Sequence, residues 1–303
     1  MKPHTVAILN SSSGGPADDD AATRLRTVLD EKGLDWQIWP AGAGGELAGL
    51  AQRAARSEAA IIVAGGGDGT LNSVASCLVG TDKVLGVLPL GTLNHFAKDL
   101  HIPLELASAV DTIATGRVNR VDVGEVNGRF FLNNSSLGLY PRIVDRREAE
   151  RKNRQRNKWI ALVSALFLAL KRYAAFRARV TADGRRFSRR TPILFVGNNE
   201  YQIEGSHFGA RQRLDRGRLC LYVLHSAGSW GLFKFVVRAL LGKAWRIKDF
   251  DALQAREIRV DTRRKRRRVA LDGEVCDLEM PLHYRIRPGA LKVIVPADAD
   301  KPK

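Results

Sequence analysis

The chain has 303 residues, 45% hydrophobic and 27% charged, the balance of a globular protein with room for about two domains and not of a disordered or fibrous one. Lys and Arg number 49 against 32 Asp and Glu, a formal charge of +17, which favours nucleic acid, an anionic membrane surface or phosphorylated ligands without choosing among them. The three cysteines, Cys77, Cys220 and Cys276, are far apart and lack CxxC spacing, which argues against a disulfide framework or a zinc site and fits a reducing compartment.

The opening "MKPHTVAILN" reaches a strand, "TVAILN" (5–10), at once, so no signal peptide is expected. "ADDDAATRLRTVLDEKG" (17–33) reads as a helix with acids in its first turn and a glycine stop. "DWQIWP", "AAIIVAGGG" and "VLGVLPLG" follow as strands, alternating with helices in "GELAGLAQRAARS", "TLNSVASCLVG" and "LELASAVDTIATG". Strands apolar on both faces, alternating with helices, predict a parallel sheet in a three-layer α/β domain over residues 1–117. Residues 118–303 change texture: "VNRVDVGEVNGRFFLNNSSLG", "RARVTADGRRF", "PILFVGNN", "GRLCLYVLH", "REIRVDT", "RRVALDGEV" and "ALKVIVP" are strand-sized pieces joined by turn residues. They predict an antiparallel sandwich or barrel, interrupted by two basic, apolar helices at about 144–177 and at 229–245. The longest apolar run, "WIALVSALFLAL" (159–170), has 12 residues and is too short to span a bilayer, which needs about 20. The expectation is a cytoplasmic protein able to touch a membrane.

Three glycine-rich turns each follow a predicted strand: "NSSSGG" (10–15), "GGGDGT" (65–70) and "PLGTLNHF" (89–96). A parallel sheet would bring all three to the carboxyl edge, where backbone N–H groups and helix N-termini receive phosphates. Ser13, Thr70 and Thr92 can add hydroxyl donors. Each turn alone is also consistent with a tight strand-to-helix connection; together they point to a nucleotide. Neither GxxxxGK[ST] nor GxGxxG occurs, which argues against a P-loop NTPase and a Rossmann dehydrogenase. Asp68 among phosphate-binding donors would repel phosphate unless a cation intervened, and Mg²⁺ is the economical choice.

"GGGDGTLN" and "PLGTLNHFAKDL", followed in order by "VGNNEY" (196–201), "LDRGRLCLYVL" (214–224) and "ALDGEV" (270–275), resemble the diacylglycerol kinase catalytic-domain family of lipid kinases, over almost the whole chain. The resemblance implies an ATP-binding α/β domain, a β-sandwich domain, and catalysis in the cleft between them. It implies nucleotide contacts at Asn10, Ser11, Ser12, Ser13 and Gly14, at Gly66, Gly67, Gly69, Thr70, Leu71 and Asn72, at Gly91, Thr92 and Asn94, and at Gly273. Asp272 and Glu274 of "LDGE" would carry the general base and a magnesium-linked carboxylate, beside Asp68 as catalytic acid group and metal ligand. Read without the resemblance, "LDGE" is a hairpin turn. The chain departs from the family at His95, where Asp is usual, at Arg216, where an acid of a peripheral metal site is common, and in lacking a proline after Asn10.

The implied activity is transfer of the γ-phosphoryl of ATP, with Mg²⁺, to a lipid hydroxyl, diacylglycerol by default, with sphingoid bases, ceramide and other lipid alcohols open. Phospholipid biosynthesis is the setting this implies. "RREAERKNRQRNK" (146–158) before the apolar run, and "SWGLFKFVVRALLGKAWRIK" with Trp230 and Trp245, suit an anionic lipid surface or simply a solvated charged face. "RRKRRR" (263–268) reads as a basic hairpin turn. An NAD kinase-like enzyme, toward which "NNE" (198–200) points weakly, a degenerate lipid-binding regulatory protein and a basic nucleic-acid binder are the alternatives. A sandwich edge strand leaves homodimer formation open.

Overall fold

A computed structural model of the chain describes residues 4–10, 18–42, 46–138, 175–202, 210–224 and 250–298. The chain forms two compact units, Met1–Val123 with Arg287–Lys303, and Gly124–Ile286. The sequence reading divides the chain at 117/118 and keeps the C-terminal strand in the second part. The last strand instead contributes its end to the first unit.

The first unit follows the predicted alternation: β1 (Thr5–Asn10), α1 (Asp18–Glu31), β2 (Gln37–Ala41), α2 (Glu46–Arg56), β3 (Ile61–Gly66), α3 (Asp68–Leu78), β4 (Val84–Pro89), α4 (His95–Asp99), α5 (Leu106–Thr115) and the start of β5 (Arg117–Val126). Its sheet runs β2–β1–β3–β4 and is parallel. β1, β3 and β4 are buried almost throughout, which is why their sequences are apolar on both faces. β2 is the edge strand, and its Pro40 is a residue that an interior strand does not tolerate. Glu105 caps α5 by accepting the N–H groups of Ala107 and Ser108 at 2.8 and 2.7 Å. Helix α4 is an addition to the sequence reading, which leaves "HFAKD" inside a loop.

The second unit is antiparallel. It comprises the end of β5, β6 (Arg129–Phe131), β7 (Asn134–Gly138), β8 (Phe176–Ala182), β9 (Arg185–Thr191), β10 (Ile193–Asn198), β11 (Leu219–Leu224), β12 (Phe250–Ala255), β13 (Glu257–Thr262), β14 (Arg266–Leu271), β15 (Glu274–Glu279) and the start of β16 (Leu282–Val295). One sheet is ordered β12–β11–β10–β7–β14–β15, and the other places β16, β13, β8 and β9 side by side. Alternate residues of both sheets, among them Leu137, Val196, Leu221 and Val269 from one and Val180, Val260, Leu282 and Tyr284 from the other, form one core. Tyr284 is buried within it and its hydroxyl pairs with Ser135 Oγ at 3.0 Å. The domain is therefore a sandwich, as the resemblance implies.

Strand β16 is longer than "ALKVIVP" suggests and runs through "RPG" (287–289). Its start pairs with β13 and its end lies parallel to β4, Lys292 opposite Val84. β12 has no counterpart in the sequence reading. The "RRKRRR" turn is shorter than expected: only 263–265 lie outside strands, and Arg266–Arg268 already belong to β14. The two expected basic helices lie outside the described residues, except that Phe176 and Arg177 open β8. Among the described residues no helix is long and apolar enough to cross a membrane.

Candidate functional site

In the first unit β1, β3 and β4 end at one sheet edge, Leu9 opposite Gly65 and Gly66 opposite Pro89. Strand order reverses between β1 and β3, where an open α/β sheet leaves a crevice for ligands. The turns there are tied to one another. Asn10 Nδ2 donates to Thr70 Oγ1 at 2.9 Å. Asp68, the first residue of α3, accepts the N–H of His95 on Oδ2 at 3.2 Å and that of Phe96 on Oδ1 at 3.1 Å. Asn94, in the left-handed region at φ 50°, accepts the Gly91 N–H at 3.0 Å and donates to the carbonyls of Pro89 and Gly91 at 3.1 and 2.8 Å.

Packing explains most of the glycines. A Cβ at Gly65 would lie 2.3 Å from Leu9 Cδ2, one at Gly66 2.5 Å from Thr70 Oγ1, and one at Gly91 2.4 Å from Gly67 Cα. These three positions leave no room for a Cβ: the side chains of Leu9 and Thr70 fill the space at Gly65 and Gly66, and the Gly67 backbone fills it at Gly91. Gly67 is different: a Cβ there would meet only Gly91 Cα at 3.5 Å, and its φ of −85° suits any residue. Neither packing nor backbone conformation requires glycine here.

The expected nucleotide contacts divide accordingly. Leu71 is fully buried and its N–H goes to Gly67 O, so it supplies a helix turn. Both N–H donors of the Asn94 amide are occupied, leaving an acceptor lone pair that suits a hydroxyl or amino group but not a phosphate oxygen. Gly69 and Asn72 lie half-buried on α3, and Thr92 is exposed at the tip of the third turn. Ser11, Ser12, Ser13 and Gly14 lie outside the described residues. Asp68 has a task without any metal, since it holds the third turn to the second. Each of its oxygens accepts one N–H and keeps a lone pair, which fits Mg²⁺, an ion that takes one or two carboxylates and completes its shell with phosphate oxygens and water. His95 meets Asp68 through its backbone, so that contact does not depend on the imidazole that replaces the family's usual Asp.

In the second unit "LDGE" is a two-residue hairpin turn between β14 and β15, with Asp272 at φ 48° and Gly273 at φ 91°. Gly273 has open space around its missing Cβ, so backbone conformation alone requires it. Asn127–Gly128 and Asp183–Gly184 make the same kind of turn. All three leading residues also bond a neighbouring backbone. Asn127 bridges to Glu279, Pro281 and His283, and Asp183 accepts the N–H groups of Arg256 and Glu257. Asp272 goes furthest. Its Oδ2 accepts Leu132 N–H at 2.7 Å and its Oδ1 accepts those of Asn133 and Asn134, both at 2.8 Å. Burial outweighs the pull of these donors and leaves its carboxyl raised to about 6. Glu274, which opens β15, is exposed.

A buried polar cluster supports that nest of N–H groups. Arg211, 2% exposed, donates to the carbonyls of Leu132 and Asn198 at 2.7 and 3.0 Å and to Asn133 Oδ1. Asn198 Nδ2 donates to Leu132 O at 2.8 Å, and Asn199 Oδ1 accepts the Arg216 N–H at 3.1 Å. The paired asparagines of "FLNNSS" and "VGNNEY" are a visible signal for this cluster, but nothing in "ARQRLD" distinguishes Arg211 from a surface arginine. Asn198 and Asn199 of "NNE" thus have structural roles here. In "LDRG", Asp215 is gripped by Arg213 at 2.8 and 2.7 Å, which holds its carboxyl below the usual range.

Two family models match in series, the diacylglycerol kinase catalytic domain over residues 4–126 and the YegS C-terminal NAD kinase beta sandwich-like domain over residues 142–295. The chain belongs to the diacylglycerol kinase catalytic-domain family. Relatives named "Probable lipid kinase YegS-like" from Yersinia pestis (strain Pestoides F) and Yersinia pseudotuberculosis serotype O:1b (strain IP 31758) are each 37% identical over 147 residues, 47% of this chain and 49% of theirs. The chain thus spans about half the length of the curated relatives it matches. A crystal structure of a "putative diacylglycerol kinase" from Bacillus anthracis str. Sterne has a TM-score of 0.76 at 24% identity, covering 97% of this chain and 98% of that one. That likeness extends the shared fold to the whole described chain.

Proposed function

We propose that the chain is an ATP- and Mg²⁺-dependent lipid kinase that transfers the γ-phosphoryl group to a hydroxyl of a membrane lipid, with diacylglycerol as the first acceptor to test. The observation that carries this reading is the bonding of the three turns at the switch point: Asn10 to Thr70, and Asp68 to the head of α4. It supports a rigid nucleotide cradle in which Gly67, Thr92 and the start of α3 face a triphosphate.

Bound Mg²⁺ would neutralise the phosphate charge that builds up during transfer. Asp68 would hold it through its carboxylate oxygens. Asp272 Oδ2 accepts a single N–H, from Leu132, and would accept the proton of the attacking hydroxyl, the N–H nest fixing its orientation. Gly273 lets the hairpin carry Asp272 and Glu274.

Incubation with labelled ATP, Mg²⁺ and a panel of diacylglycerol, ceramide, sphingoid bases and NAD tests the reading. Label is expected in a lipid and lost in Asp68→Ala. Label in NAD alone would make the protein an NAD kinase. Transfer by His95→Asp but not by the parent would make it a degenerate lipid-binding protein.

A further inference from the structure

One face of the β16–β13–β8–β9 sheet packs on the sandwich core, and the opposite face is exposed and rich in arginine. The outward positions hold Arg177 and Arg179 on β8, Arg186 and Arg190 on β9, Arg259 on β13 and Arg285 on β16. The register sets them on one face: Arg177 is opposite Arg190, Thr181 lies between Arg186 and Arg259, and Glu257 is opposite Arg285. Glu257 and Asp261 are the acids of this face, and each is taken by an arginine, Arg285 at 3.4 Å and Arg179 at 2.7 Å. Arg186, Arg190 and Arg259 pair with no acid among the described residues.

A face that merely needs solvating does not require this pattern. Arg177 directly opposite Arg190 is a like-charge pair, which costs stability. Charges on an edge strand discourage strand addition and would explain β9, but Arg177, Arg179 and Arg259 stand on interior strands. All six cations are arginine, whose planar fork matches phosphate oxygens two at a time. The face carries no Phe, Tyr or Trp, so it lacks a platform for stacking single-stranded bases. From strand spacing it measures roughly 15 by 20 Å. A concavity of about 480 Å³ opens on it, lined by Arg256, Arg259 and Arg285 together with the acids Asp183 and Glu257, and has the volume for a phosphate-bearing headgroup.

We propose that this arginine face docks the protein on an anionic phospholipid bilayer, using sheet residues and not the basic segments at 146–158 and 229–248. The choice of a bilayer rests on the lipid-kinase reading.

The test is co-sedimentation of the full chain, without ATP, with phosphatidylcholine vesicles containing increasing phosphatidylglycerol. Binding is expected to rise with the anionic fraction and fall with salt. Each arginine removed should weaken it about fivefold, so Arg186→Gln/Arg190→Gln/Arg259→Gln loses roughly a hundredfold. Arg190→Glu sets an acid opposite Arg177, keeps the sheet intact and should weaken binding at least about fivefold. Phosphorylation of a short-chain acceptor dispersed in solution stays unchanged in both variants. Parent-like binding by both variants would overturn the proposal, as would equal binding to neutral vesicles or stronger capture of duplex nucleic acid. Arginine-dependent vesicle binding by a protein that phosphorylates no lipid would leave the docking face standing and defeat the kinase reading.

Discussion

Asp68 Oδ1 accepts the N–H of Phe96 at 3.1 Å, so the carboxylate of one glycine turn holds the helix that follows another. Asp68→Ala is expected to lower stability by about 1–3 kcal/mol, since it strands two N–H groups that bond a charged acceptor, and to abolish phosphoryl transfer. Asp68→Asn keeps one acceptor and should recover part of the stability but none of the transfer. Denaturant titration beside a kinase assay separates the two effects.

The glycines make a sharper pair. Gly91→Ala drives a Cβ to 2.4 Å from Gly67 Cα and should cost about 1–3 kcal/mol. Gly67→Ala meets only an ordinary van der Waals contact with Gly91 Cα at 3.5 Å, so its melting temperature should stay near that of the parent while the KM for ATP rises. Equal KM for ATP in Gly67→Ala and parent would show that no ligand approaches this backbone.

Asp183 and Asp272 open equivalent turns and both accept neighbouring backbone N–H groups. Asn in place of either should destabilise by about 1–3 kcal/mol, because an amide nitrogen then faces donors. Only Asp272→Asn should lose phosphoryl transfer. Glu274→Gln, at an exposed position, should leave stability unchanged and lower transfer.

Arg211→Met leaves the carbonyls of Leu132 and Asn198 facing each other's environment without their shared donor. A loss of roughly 3 kcal/mol or more is expected in denaturant titration, and Lys should not restore it, because one ammonium cannot reproduce the planar fork.

Burial raises all three cysteine thiols, Cys220 up to about 12, so the reactive thiolate is suppressed at pH 8. Cys220 should stay unlabelled by a thiol reagent in the native protein, and all three should react once the chain is unfolded in guanidinium. Rapid native labelling of Cys220 would contradict its buried position.

Much of the first unit was legible because its strands are apolar on both faces and its helices carry end signals, as in "IIVAGGG" before "DGTLN". The hairpins were legible from Asn-Gly and Asp-Gly, where only a positive φ at both turn residues lets the strands keep their twist. The reach of β16 was not, since pairing with a strand some two hundred residues away leaves no local trace and "RPG" argues the other way.

By itself the sequence determined the two folding patterns and the three turns, because periodicity and turn chemistry are local; Asp272 and Glu274 stood out only through the family resemblance. Only the tertiary structure decided what those residues touch. It turned Gly65, Gly66 and Gly91 into packing requirements, made Asp68 a tie between two turns, placed Asp272 in a nest of three N–H groups, and buried Arg211 behind it. It also gathered arginines from four separate strands onto one face. Each of these depends on atoms brought together from distant parts of the chain, where only strand register and burial decide which side chains meet.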